Sequence, residues 1–227
     1  KLYDEALDSK RKEGRTILEI SPVDSTALMW VQYDLHSIEV SQKKGTLNEQ
    51  SVKAVIDFAI RTGNNRLKTW EFALYRRHLL ELDDIKKLHR FFIRTYPDDF
   101  RQLSDIDPGM YFRLKAFFAE YEGKPDSADY YFNKAEELII GARDKNNLFK
   151  SNFYSRYGQF LTRQGLNVRA IGKFTTAISL AEANEYPGRF EFMLIPCKNL
   201  EALYSKAGNF KMAWYYASLS HRVIDSI

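Results

Sequence analysis

One cysteine in 227 residues excludes an internal disulfide framework, and no base partner can be named for Cys197, so it reads as a small apolar residue rather than a nucleophile. No segment reaches the roughly 18 apolar residues that a membrane-spanning helix needs. No block of one charge sign occurs either. The 34 Lys and Arg are interleaved with 30 Asp and Glu, giving a net charge of only +4. That pattern suits solvated helix faces and lacks the concentrated basic stripe that nucleic-acid binding generally requires, so no nucleic-acid partner is expected. Low-complexity stretches and long disordered linkers are missing as well. The sequence begins at Lys1 rather than Met, so it reads as a segment from which a leader, anchor or output domain has been trimmed.

Motifs for chemistry are equally scarce. The four histidines (His36, His78, His89, His221) form no H-E-x-x-H and no Cys/His cluster, and His78 with His89 fall short of a ligand set. There is no G-x-x-x-x-G-K-[ST] and no G-x-G-x-x-G run to cradle a nucleotide. The acidic pairs Asp83-Asp84, Asp98-Asp99 and Asp105-Ile106-Asp107 fall in or near expected loops, where carboxylates cap helices and solvate turns. Asp105–Gly109 lacks the remaining oxygen ligands of a calcium loop. The expectation is therefore no catalytic residue, no metal and no cofactor.

What is present is a spacing that occurs three times. A Gly is followed five residues later by Ala, then by a packing residue after four and a small one after three. It reads Gly123, Ala128, Phe132, Ala135; Gly165, Ala170, Phe174, Ala177; and Gly208, Ala213, Ala217, Ser220. The Ala-to-Ala steps are 42 and 43 residues. A repeat of this length with helical spacing inside it predicts stacked helical hairpins: alanines let two backbones approach while a ring fills the gap. The 15% aromatic content is assigned to packing between hairpins.

The spacing predicts helices over Met110–Glu122 and Ser127–Ile140, Phe149–Gln164 and Asn167–Ala183, and Pro196–Ala207 and Phe210–Ile227. Gly141–Asn147 and Asn184–Gly188 read as breaks. Pro196 either occupies a first turn or kinks a longer helix that begins near Arg189. Upstream the pattern decays. Thr69–Leu82 pairs with Asp84–Tyr96, where Asp83 replaces the turn Gly and Leu88, Phe92 and Thr95 take the core positions. Ser25–Lys44 pairs with Asn48–Arg61 around Gly45, with Ala54 and Phe58 inside. Asp4–Glu19 is a further helix, and Pro97–Pro108 is read as a linker. The expected organisation is 1–97 as degenerate hairpins and 98–227 as regular repeats, in one continuous solenoid.

These residues resemble the tetratricopeptide repeat (TPR). The best match is Tyr154, Tyr157, Gly158, Leu161, Gly165, Ala170, Phe174 and Ala177. Leu200, Tyr204, Gly208 and Ala213 follow in the next unit; Phe112, Ala116, Gly123, Ala128, Phe132 and Ala135 form the preceding one, whose Lys115 departs from the apolar pattern. The family period is about 34 residues, so the longer step here implies helices extended at the junctions between hairpins. The resemblance implies an all-α, right-handed superhelical stack of about five antiparallel hairpins, an α-solenoid that is not an enzyme. It also implies partner binding by the first helices, carried by position onto Trp70, Arg77, Arg113, Phe117, Tyr121, Asn152, Ser155, Gln159, Arg163, Lys198 and Lys206. This mixture of cationic, amide and aromatic groups suits acidic or carboxylate-bearing protein segments. The C-terminal style (Trp214-Tyr215-Tyr216, Ser220-His221-Arg222) resembles the repeat domains of Bacteroidetes-type sensor kinases and transcriptional regulators. That implies a scaffold or regulator in signal transduction, in periplasm or cytoplasm, with a membrane reached only through removed flanks. A homodimer through the C-terminal helices is a further expectation, and the alternative function is a small-ligand receptor or helical-hairpin enzyme with its pocket at the 97–108 seam.

Overall fold

In the computed structural model, hairpin turns are made by residues of positive φ: Gly63, Gly123, Gly165 and Gly208 at 67–74°, and Asp83 at 56°. The aspartate thus does take the place of the turn glycine. Residues 5–6, 8–14, 25–41, 47–81, 83–141, 147–186 and 188–226 are described, and among them no strand occurs. The architecture is an all-α stack of helical hairpins. It divides into two units, Lys1–Thr95 and Tyr96–Ile227. The expected helix Asp4–Glu19 and the turn at Gly45 lie partly or wholly outside the described residues.

The N-terminal unit contains α1 (Ser25–Ser41), α2 (Glu49–Thr62), α3 (Asn65–Glu81) and α4 (Ile85–His89), the last continuing as a π-helical turn over Arg90–Thr95. Asn48 caps α2 by accepting from the N–H groups of Gln50 and Ser51. Gly63 closes the helix in the left-handed region, its N–H bonding back to Ala59 and Ile60. Val52, Val55, Ile56 and Ala59 are the buried face of α2. The expected core residues Ala54 and Phe58 were therefore one position out of register: Ala54 is exposed and Phe58 only half-buried. The π turn produces a second correction. Its i→i+5 bonding inserts a residue, so the i, i+4, i+7 rule fails. Leu88 and Phe92 are buried as expected, whereas Thr95 faces solvent, and Phe91 packs inward 4.7 Å from Tyr75.

The C-terminal unit contains α5 (Pro97–Ile106), α6 (Pro108–Tyr121), α7 (Pro125–Gly141), α8 (Asn147–Arg163), α9 (Asn167–Glu182), α10 (Arg189–Lys206) and α11 (Phe210–Ile224). The expected linker 97–108 is mostly helix. Pro97 sits in the first turn of α5, Asp98 and Asp99 complement its N-terminal dipole, and buried Phe100 meets Tyr111 and Phe118 at 5.1 and 5.6 Å. Asp107 then caps α6 through the Met110 N–H. Pro196 lies inside α10, so the longer helix from Arg189 is the one that forms.

Every Ala and Phe of the first two repeats is fully buried, namely Ala128, Phe132, Ala135, Ala170, Phe174 and Ala177. Phe132 stacks on Tyr157 of the next hairpin at 4.6 Å and 5°. Phe174 lies over Gly158 so closely that a Cβ there would sit 2.7 Å from the ring. In the third repeat, Tyr216 stacks on Tyr204 at 5.7 Å and supplies the ring that half-buried Ala217 does not.

Candidate partner-binding surface

The C-terminal unit has two layers. In one, the first helices α8 and α10 are in contact and side chains link α6 to α8. Arg113 on α6 donates to Asn152 on α8 at 2.5 Å, and Arg163 on α8 donates to Glu120 on α6 at 2.7 Å. In the other layer, α7 and α9 are joined by a ladder of charge pairs. Arg169 bonds Asp129 at 2.9 and 3.1 Å, and Lys173 bonds Glu136 at 2.6 and 2.7 Å. The Tyr157 hydroxyl lies between these helices, within 2.9 Å of Asp129 Oδ1 and 2.8 Å of Asn133 Oδ1, and accepts from Arg169 at 2.7 Å. Burial alone would raise the Asp129 carboxyl, but the hydrogen bonds from Arg169 and Tyr157 outweigh it and hold it below its usual range. The facing charges of the α7–α9 ladder are thus paired with one another.

The carried-over positions separate accordingly. Trp70 and Arg77 are exposed on α3 of the N-terminal unit, where Trp70 packs against Trp30 at 5.6 Å under the Arg66 guanidinium at 4.3 Å. The remaining residues belong to the C-terminal unit. Two of the expected contact residues are core: Arg113 is 4% and Phe117 5% exposed. Arg113 lies between the Phe117 and Phe149 rings at 5.5 and 5.1 Å. Helix α6 is packed on most of its circumference, with Leu114, Ala116, Phe118 and Ala119 also buried, which leaves little outward face. Ser155 is buried too. Asn152 and Gln159 are half-buried, while Tyr121, Arg163, Lys198 and Lys206 are exposed.

On α10 the exposed residues Ile195, Lys198, Ala202 and Lys206 recur at helical spacing, forming one stripe. Arg163 is neutralised by Glu120, but neither Lys198 nor Lys206 has an ion-pair partner among the described residues. Gln159 Oε1 is buried with no hydrogen-bond partner. The two lysines are therefore open to groups from outside, whereas the Gln159 oxygen is enclosed.

No sequence motif marks a buried polar cluster in the N-terminal unit. His36 Nδ1 lies 2.6 Å from Glu71 Oε1, and His36 Nε2 lies 2.8 Å from Ser51 Oγ and 3.0 Å from Gln32 Nε2. The order hydroxyl–imidazole–carboxylate is that of a nucleophilic triad. Yet His36 and Glu71 are 1% and 0% exposed, and the Gln50 and Ser51 N–H groups that might hold an oxyanion are spent on the Asn48 cap. The cluster instead ties α1, α2 and α3 together. Burial raises the Glu71 carboxyl above its ordinary value despite the His36 hydrogen bond. Its members are 35 residues apart, and no local pattern announces such a pairing.

Elsewhere, His78 Nε2 accepts from the Leu47 N–H at 3.0 Å. Among the described residues no group of three His, Cys, Asp or Glu could hold a metal ion, and no helix is long and apolar enough to cross a membrane. Burial pushes the Cys197 thiol up to about 12, so little thiolate exists at neutral pH. No protein-family model and no curated protein matches the chain. Among solved structures, BtubC (BKLC) from P. vanneervenii is similar, with a TM-score of 0.67 and 16% identity over 100% of this chain and 92% of that one. At that identity the likeness is one of fold.

Proposed function

We propose that this chain is a non-catalytic protein–protein interaction module of tetratricopeptide type, the sensory or regulatory domain of a larger bacterial signalling protein. Its first-helix layer binds an extended acidic segment of a partner. The observation that carries this reading is the α10 stripe, in which Lys198 and Lys206 stand exposed beside Ile195 and Ala202 with no counter-charge among the described residues. Exposed lysines one or two turns apart present a row of donors to carboxylates, and the apolar residues between them offer area to the segment's side chains. Arg163 adds a third cation once it is released from Glu120. The buried Arg113 and Phe117 hold α6 against α8 and form no part of the contact.

Peptides selected on the protein from a random library should be enriched in Asp and Glu. A double charge reversal, Lys198→Glu with Lys206→Glu, should weaken the best of them at least about tenfold, or roughly 1.4 kcal/mol. Reversal of Lys134, which already pairs with Glu137 on α7, should change affinity less than twofold. Selection of uncharged peptides, or equal affinity in the double variant, sinks the assignment.

A further inference from the structure

A cavity of about 270 Å³ lies between the end of α9, the start of α10 and the end of α11. Met193, Leu219 and Val223 line it, and all three are buried apolar residues. Three charged side chains, Glu182, Arg189 and Arg222, line the same cavity. None of the three forms an ion pair among the described residues, although both signs are present at one site. Arg189 is held in place: its Nη1 donates to the Asn184 carbonyl at 3.1 Å, and its guanidinium lies 4.7 Å from the Phe190 ring centre. A fixed guanidinium loses less entropy when it accepts a planar anion, and its fork matches a carboxylate.

We propose that this cavity binds a free α-amino acid with an apolar side chain. The chemistry of the lining accounts for each part of such a ligand. Its carboxylate meets Arg189 and Arg222, its ammonium group meets Glu182, and its side chain covers Met193, Leu219 and Val223. A purely anionic ligand would leave Glu182 facing like charge, and a purely cationic one would face two guanidinium groups. Only a zwitterion satisfies both signs. The volume sits just under the range of about 300–1,000 Å³ typical of pockets for drug-sized molecules, which suits a single amino acid and not a peptide. The site lies apart from the α10 stripe and stands or falls independently of the partner-binding reading.

Titration calorimetry of the 227-residue protein with L-leucine, L-methionine and L-phenylalanine tests it. At least one should bind saturably below about 10 mM. Against that ligand, Arg222→Ala and Glu182→Gln should each raise Kd at least about tenfold, with unchanged circular dichroism. The deaminated acid and the decarboxylated amine of the same side chain should each bind at least about tenfold more weakly than the amino acid. The proposal is overturned if none of the three amino acids binds in that range. It is equally overturned if the acid or the amine alone binds as tightly as the zwitterion, or if both variants bind like the parent protein.

Discussion

Replacing Phe132 by Ala is expected to destabilise the C-terminal unit by about 3–5 kcal/mol, the cost of emptying a fully buried aromatic site. The ring is 0% exposed and meets Tyr157, Phe160 and Phe117 at 4.6, 5.0 and 5.8 Å. These partners come from both its own hairpin and the next, so the cavity left behind cannot collapse by moving one helix. The loss includes the stacking on Tyr157, whose hydroxyl is held by Asp129 and Arg169 and which is therefore not free to follow. Urea denaturation followed by helix circular dichroism reads the effect. A change below about 1 kcal/mol would mean that the ring does not join the hairpins.

The second large effect is in the N-terminal unit. Glu71→Ala should cost about 3–5 kcal/mol, because it leaves His36 buried beside an empty acceptor site. The reverse change, His36→Ala, should cost a similar amount and strand the carboxylate. Glu71→Gln keeps the shape and one acceptor, so it should be milder at neutral pH. The pH dependence separates charge from packing. Burial holds the Glu71 carboxyl above its ordinary 4.5, so folding disfavours its charged form relative to the unfolded chain. Its contribution is full below that value and falls away as pH rises through the folded-state pKa. Glu71→Gln should flatten that decline. Trp30 and Trp70, both in this unit and in ring contact, provide a fluorescence readout. Parallel pH profiles of the two proteins would show that Glu71 does not titrate on unfolding.

The C-terminal hairpins were legible in the sequence because their signals are local and tied to backbone geometry. A positive-φ glycine, two alanines and a ring at fixed offsets leave few alternatives, and Gly123, Gly165 and Gly208 behave accordingly. Legibility failed where a residue's role depends on what lies across from it. Arg113 reads as a surface cation, yet α6 is enclosed on most sides and the guanidinium lies between two rings. Ala54 fits the repeat by spacing, but Val55 and Ile56 beside it bury more apolar surface and set the register of α2. The π turn at Arg90–Thr95 moves Phe91 into the core by a hydrogen-bond shift that no side-chain pattern encodes. Asp98 and Asp99, loop carboxylates by sequence, start a helix because Pro97 precedes them.

The surface assignment is tested most directly by mapping where a selected acidic peptide lands. Amide chemical-shift perturbation, or hydrogen exchange with and without peptide, locates it along the chain. The first-helix account predicts changes at Arg163, Lys198, Ala202 and Lys206, with the α7–α9 ladder of Asp129, Glu136, Arg169 and Lys173 unaffected. Changes confined to α7, α9 and α11, with α10 silent, would contradict it.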